Sequence, residues 1–223
     1  FCVSLHDLKF IYLKFKVSMS SLNHPILEQS FAIIDQEIGE HNFNPAEYAI
    51  IRRVIHSTAD FEFKHLMRFS PGAIAAAIAA LCQGIPIVTD VGMVKKGVAG
   101  MVAKTFNNPL ICAVEAADVA LPGKTRTETG LLKCWQQFPQ AIFVFGNAPT
   151  ALLALCTELQ NASVSPALVI GAPVGFVSVV ESKAVLAQTS VPQIRVEGRK
   201  GGSPVASAIV NALIVLAWEN ANG

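Results

Sequence analysis

AIFVFGNAPTAL, residues 141–152, places five apolar residues in a row, then a Gly-Asn-Ala-Pro turn, then the start of a helical pattern. The apolar run does not alternate with polar residues. A strand of that kind is covered on both faces, as in a parallel sheet sandwiched between helices. The same texture recurs at IPIVTD (85–90), PLICAV (109–114), PALVIGAP (166–173) and PQIRVEG (192–198). Helical patterns fall at about 71–82, 125–138, 149–160, 178–188 and 203–218, with two more near 25–39 and 45–56 ahead of the first strand. Strand–helix–strand succession implies right-handed crossovers. The expectation is an α/β chain folded as a single three-layer domain, its mainly parallel central sheet flanked by helices. No linker-like stretch divides it and no internal repeat is visible.

The chain has 223 residues, 52% of them hydrophobic and 15% charged, which describes a globular domain with a sizeable core. A formal net charge of +1 without a lysine-arginine block argues against nucleic acid as a partner. The five cysteines (Cys2, Cys82, Cys112, Cys134, Cys156) form no CxxC pair and sit mostly in apolar runs, as reduced core thiols do. The histidines show no zinc-ligand spacing, so no protein-bound metal is expected. Residues 1–18 read as an N-terminal extension and 19–223 as the domain, with Met19 a natural start. The segment PVASAIVNALIVLAW (204–218) carries Asn211 and reads as a buried helix, not a membrane span.

In parallel sheets ligands bind beyond the carboxyl ends of the strands. The segments found there are TDVGMV, GNAPTAL, GAPVGFV and GRKGGS. Glycine and proline are common in any such loop, but four glycine- or proline-bearing loops meeting on one rim mark a surface that a ligand can approach closely. Neither a P-loop nor GxGxxG is present, which weakens a nucleotide site.

Single residues sharpen the picture. NPAEYAIIRRVIH opens with Asn44 as a cap, Pro45 at the first helical position and Glu47 three residues on. Ile50, Ile51, Val54 and Ile55 form its apolar stripe, and His56 falls nearly opposite, beside Arg52. His56 occupies the last turn, where the helix dipole favours a cation. Ser57 or Thr58 is then expected to cap a second helix. On these features alone a solvent-exposed, helix-capping histidine is the simpler reading. Arg126 stands at a helix start marked by a Thr125/Glu128 capping box, a poor place for a cation unless an anion binds there. In GRKGGSP, Arg199 and Lys200 precede a glycine pair, with Ser203 as the expected cap and Pro204 first in the helix.

Taken together, QSFAIID, VIHSTADFEF, DVGMV, KTRTETG, GNAPTAL, GAPVGFVSVVESK and GRKGGSPVASAIVNAL resemble the precorrin-8X methylmutase family, including its cobalt-precorrin-8 members, over about residues 24–217. The resemblance implies an isomerase of cobalamin biosynthesis that moves a methyl group from C-11 to C-12 of the corrin precursor, giving hydrogenobyrinate or cobyrinate. It implies no redox cofactor, a cytoplasmic homodimer with its active site near the subunit interface, His56 as the catalytic acid, and Ser30 and Arg126 in the ligand site. Asn147, Pro173, Val174, Gly175, Arg199, Gly201, Gly202 and Ser203 on the rim loops complete the expected substrate site. A flat apolar macrocycle edged with carboxylates suits such a rim. Metal-free and cobalt-containing substrates are both compatible. A noncatalytic tetrapyrrole carrier and a Rossmann-like nucleotide enzyme stay open beside this reading, although TDVGMVKKG lacks the glycine fingerprint that the latter needs.

Overall fold

The structure, a computed structural model, describes Leu22 and residues 24–222. The 1–18 extension lies outside the described residues. Six strands form one sheet: β1 (Met67–Phe69), β2 (Ile87–Thr89), β3 (Leu110–Cys112), β4 (Ile142–Phe145), β5 (Leu168–Gly171) and β6 (Gln193–Val196). Their order across the sheet is β1-β6-β5-β4-β2-β3. All neighbours are parallel except β1, which runs antiparallel to β6 with Met67 opposite Val196. The order reverses at β2, which lies between β3 and β4.

Nine α-helices accompany the strands among the described residues: α1 (Pro25–Ile38), α2 (Pro45–Thr58), α3 (Phe63–Leu66), α4 (Ala73–Cys82), α5 (Gly92–Lys104), α6 (Arg126–Gln137), α7 (Pro149–Leu159), α8 (Val179–Ala187) and α9 (Ser203–Asn222). Alternate residues of the central strands feed two separate cores. Ile142, Val144, Leu168, Ile170, Ile194 and Val196 pack with α1, α2, α4, α5 and α9. Val88, Phe143, Phe145 and Val169 pack with α6, α7 and α8. β4 and β5 are buried along their whole length, which is why their sequences are apolar without a break.

α9 has the length and composition of a membrane span, but Val205, Ala206, Ile209, Val210, Leu213 and Ile214 lie in the core. More than half of the helix is buried within the chain, where it packs against α2, α4 and α5. Cys112, Cys134 and Cys156 are buried free thiols as expected; Cys82 is exposed.

Two elements depart from the sequence expectation. α5 is a thirteen-residue helix where none was expected, because Gly92, Gly97 and Gly100 depress its local propensity. Gly97 has a packing reason: a Cβ there would lie 2.4 Å from Ser207 Oγ on α9. β1 is only three residues long and exists through its pairing with β6.

Helix α6 closes equally tightly on the turn after β3, where a Cβ at Gly130 would sit 1.7 Å from the Ala113 carbonyl oxygen. Gly100, in contrast, faces open space on α5. Gly130→Ala should therefore destabilise the fold by about 3 kcal/mol, because backbone must move. Gly100→Ala should stabilise it by about 0.5–1 kcal/mol through helix propensity. Opposite shifts of the thermal midpoint would check both.

Candidate functional site

The loops beyond the carboxyl ends of β2, β4, β5 and β6 meet on one rim, and buried polar groups hold them there. Asp90, 1% exposed, directly follows β2. Its Oδ2 accepts from the backbone N–H groups of Gly146 (3.0 Å), Asn147 (2.6 Å) and Ala148 (2.7 Å). Its Oδ1 accepts from Val91 N–H at 2.9 Å. Burial pushes the Asp90 carboxyl up from its ordinary pKa, and the four amide donors act against that shift. With donors on both oxygens, the geometry is that of a carboxylate. It lies at the point where strand order reverses, the usual crevice for a dinucleotide phosphate. Here the turn amides are already engaged by a carboxylate, which is hostile to a phosphate.

The next two loops are stitched to each other. Gly202 N–H donates to Ala172 O (2.8 Å) and Gly175 N–H to Arg199 O (3.2 Å). Gly201 has φ +154°, and a Cβ on it would lie 2.3 Å from Ala172 O and 2.7 Å from Pro173 O. Only glycine fits that approach. Beneath them Lys183 of α8, 3% exposed, donates from Nζ to Gly198 O and Lys200 O, both at 2.8 Å. Burial lowers its pKa to about 8. Pro173, Val174, Gly175, Arg199, Gly201, Gly202 and Ser203 are thus brought together. Asn147 is close by, since a Cβ on its neighbour Gly146 would lie 2.9 Å from Ser203 Cα. Ser203 is the first residue of α9 and not its cap. Gly202 O accepts the Ala206 N–H at 3.0 Å, so the chain enters the helix one residue earlier than expected.

The rim is also apolar. Phe176 and Val177 are each 82% exposed, Val119 79% and Met93 72%, all on segments that follow parallel strands. The Arg199 guanidinium stands 5.5 Å from the Phe176 ring centroid. Arg126 is the first residue of α6, exposed, with the Thr125/Glu128 capping box formed as expected. Thr125 Oγ1 lies 3.2 Å from Thr150 Oγ1, which places Arg126 beside the turn after β4. Its side chain has no ion-pair or hydrogen-bond partner among the described residues.

His56 stands on α2, whose following corner is joined to this rim by Lys200. It is exposed in the last turn of α2, opposite the buried Ile50, Ile51, Val54 and Ile55. Its ring meets Phe31 of α1 edge-on at 5.8 Å. α1 is clamped to α2 by Asp35, which accepts from Tyr48 Oη (2.5 Å) and Arg52 Nη1 (2.8 Å). Burial and then that carboxylate raise the Tyr48 pKa to about 12. Ser57 and Thr58 do not cap a second helix. Both hydroxyls bond back to Val54 O in the last turn of α2, and Ala59 ends it at φ 52°. The next helix is the short α3, without a side-chain cap. Between them Asp60 and Glu62 receive Lys200 Nζ at 2.6 and 2.5 Å. That contact ties the corner after His56 to the glycine loop. The Lys200 bond is the first cause holding the Asp60 carboxyl below its usual range. Ser30 donates to Ile26 O of its own helix (2.9 Å), not to His56. Asp90, Lys183 and Phe176 were not singled out by the sequence. Their only signal was a charge or a large apolar side chain inside a motif.

The sequence profile of the precorrin-8X methylmutase family matches residues 25–216. A cobalt-precorrin-8 methylmutase of Synechocystis sp. is 56% identical over 214 residues, covering 90% of this chain and 99% of the relative. A precorrin-8X methylmutase of Pseudomonas aeruginosa is 41% identical over 194 residues, covering 84% and 93%. The solved structure of a precorrin-8x methyl mutase from Thermus thermophilus superposes with a TM-score of 0.82 at 42% identity, covering 87% of this chain and 96% of that one.

Asp90→Asn keeps one acceptor but turns an N–H₂ toward backbone donors. It should cost about 3 kcal/mol of stability, the scale of a broken buried charged network. Equilibrium denaturation reads this, and a midpoint equal to the parent's would show that the pinning is dispensable.

Proposed function

The chain belongs to the precorrin-8X methylmutase family, and from that premise we propose that it moves a methyl group from C-11 to C-12 of precorrin-8X or cobalt-precorrin-8, with His56 as the acid. As a methylmutase it is an isomerase of the cobalamin pathway. The observation that carries the finer reading is the placement of His56. It is an exposed imidazole at a rigid corner, tied through Asp60, Glu62 and Lys200 to a glycine-rich loop on an apolar rim. The methyl group leaves and rejoins one macrocycle, so the shift resembles a sigmatropic rearrangement and needs no protein nucleophile. Protonation of the ring system near the migrating carbon makes the shift easier and draws the conjugation toward the product form. An imidazole, which changes charge near neutral pH, suits that step.

The macrocycle lies against Phe176, Val177, Val174 and Met93, and its peripheral carboxylates meet Arg126, Arg199 and the backbone around Gly201, Gly202 and Ser203. Asn147 and Pro173–Gly175 line the same edge. The protein works as a cytoplasmic homodimer with the site near the interface. One feature favouring this is the outer face of α1, where Ile26 and Ile33 are 65% and 63% exposed and flank Ser30 at helical spacing. A second subunit covering that stripe places Ser30 at the interface.

His56→Ala should abolish conversion of precorrin-8X while leaving the fold intact, because the side chain is off the core. Near-normal turnover would remove the histidine from the mechanism. Arg126→Ala should weaken product binding, followed by visible absorbance, by about 1.5–3 kcal/mol, or less where the contact stays open to water. Sedimentation at micromolar concentration should give a dimer, and a monomer would contradict the shared site.

A further inference from the structure

Lys183 has no place in the chemistry above, yet it is the most deeply buried lysine among the described residues. A buried ammonium is costly unless its donors are satisfied. Here the two acceptors are backbone carbonyls of one loop, Gly198 O and Lys200 O, each at 2.8 Å. The carbonyl between them, Arg199 O, accepts from Gly175 N–H at 3.2 Å. Three successive carbonyls are therefore turned into the protein. The described peptides are all trans, and in a trans peptide the N–H points opposite to the C=O. The N–H groups of Arg199, Lys200 and Gly201 must accordingly face away from those acceptors' partners. None of the three has an acceptor among the described residues, whereas Gly202 N–H is engaged by Ala172 O. The loop thus presents backbone donors and the Arg199 side chain, with its carbonyls withdrawn. Such a surface favours a carboxylate strongly and an uncharged carbonyl or ether oxygen far less.

We propose that Lys183 is a positioning residue, one that turns the 198–201 loop into a donor-only cradle for a peripheral carboxylate of the substrate. The inference rests on the corrin substrate reading and deepens it. Without the ammonium, Gly198 O and Lys200 O lose their partner. A peptide that then rotates presents a carbonyl oxygen where the carboxylate binds. His56 makes no contact with Lys183 and is linked to the loop only through the exposed Lys200 side chain, so the loss falls on binding far more than on the proton step.

The test is Lys183→Met, with Lys183→Gln as a milder second variant should the first fail to fold. Each is titrated with the corrin product and with its fully methyl-esterified form, followed by absorbance. The wild type should prefer the acid. Both variants should lose at least about tenfold in affinity for the acid, the scale of one charge-assisted hydrogen bond. Their affinity for the ester should stay within about twofold of wild type, and turnover should show a raised KM with kcat nearly kept. Equal losses for acid and ester would make Lys183 a general structural residue and overturn the proposal, as would no loss for either. A wild type that binds acid and ester alike would also overturn it while leaving the corrin reading in place. A wild type that binds neither would overturn the corrin reading itself, and the proposal with it.

Discussion

The carboxylate of Asp90 is the constraint around which the rim is assembled. It sits at the reversal of strand order, where the chain leaving β2 must lie against the chain leaving β4. Four backbone amides converge on it, from Val91 and from the three residues of the turn after β4. Unsatisfied, the buried amides of Gly146 and Ala148 would each cost about 1–3 kcal/mol. Because the four amides come from two loops, the same side chain sets the starts of α5 and α7 relative to one another. Gly146 within the turn leaves no room for a Cβ against Val94 of α5 and Ser203 of α9, so the start of the last helix packs at the same corner.

Two buried charges of opposite sign divide the rim between them. Asp90 takes up amides beside β2 and β4, while Lys183 takes up carbonyls beside β6. What faces outward on each side is what the buried group leaves behind. Near Asp90 the surface is dominated by side chains such as Met93. Near Lys183 it offers backbone donors, Arg199 and a close-packed glycine pair. The proposed macrocycle, apolar on its faces and anionic at its edge, would suit that division better than a nucleotide would.

His56 is held differently. Exposed ion pairs such as those of Lys200 with Asp60 and Glu62 are worth little individually. They act on where the corner lies, while the stability of α2 comes from its fully buried stripe against α9. An exposed imidazole on a helix anchored in this way is free to meet a ligand without loosening the core.

Much of this was legible in the residues themselves. Unbroken apolar runs marked β3, β4 and β5, because a strand covered on both faces has no polar side, whereas β6 carries Gln193 and Arg195. Asn44, Pro45 and Glu47, and the pair Thr125 and Glu128, marked helix starts, since a cap bonds within three residues of itself. The spacing of Ile50, Ile51, Val54 and Ile55 put His56 outside the core. What failed was whatever depends on a distant partner. α5 is helical despite three glycines because α9 packs on it, and β1 is a strand only beside β6. Asp90 reaches amides 56 to 58 residues away, and Lys183 reaches carbonyls 15 and 17 residues on. Local periodicity and capping record the chain's short-range preferences, so they determined the layers and the exposed histidine. Which backbone groups a buried charge meets depends on how separate segments are packed side by side, and that only the tertiary structure decided.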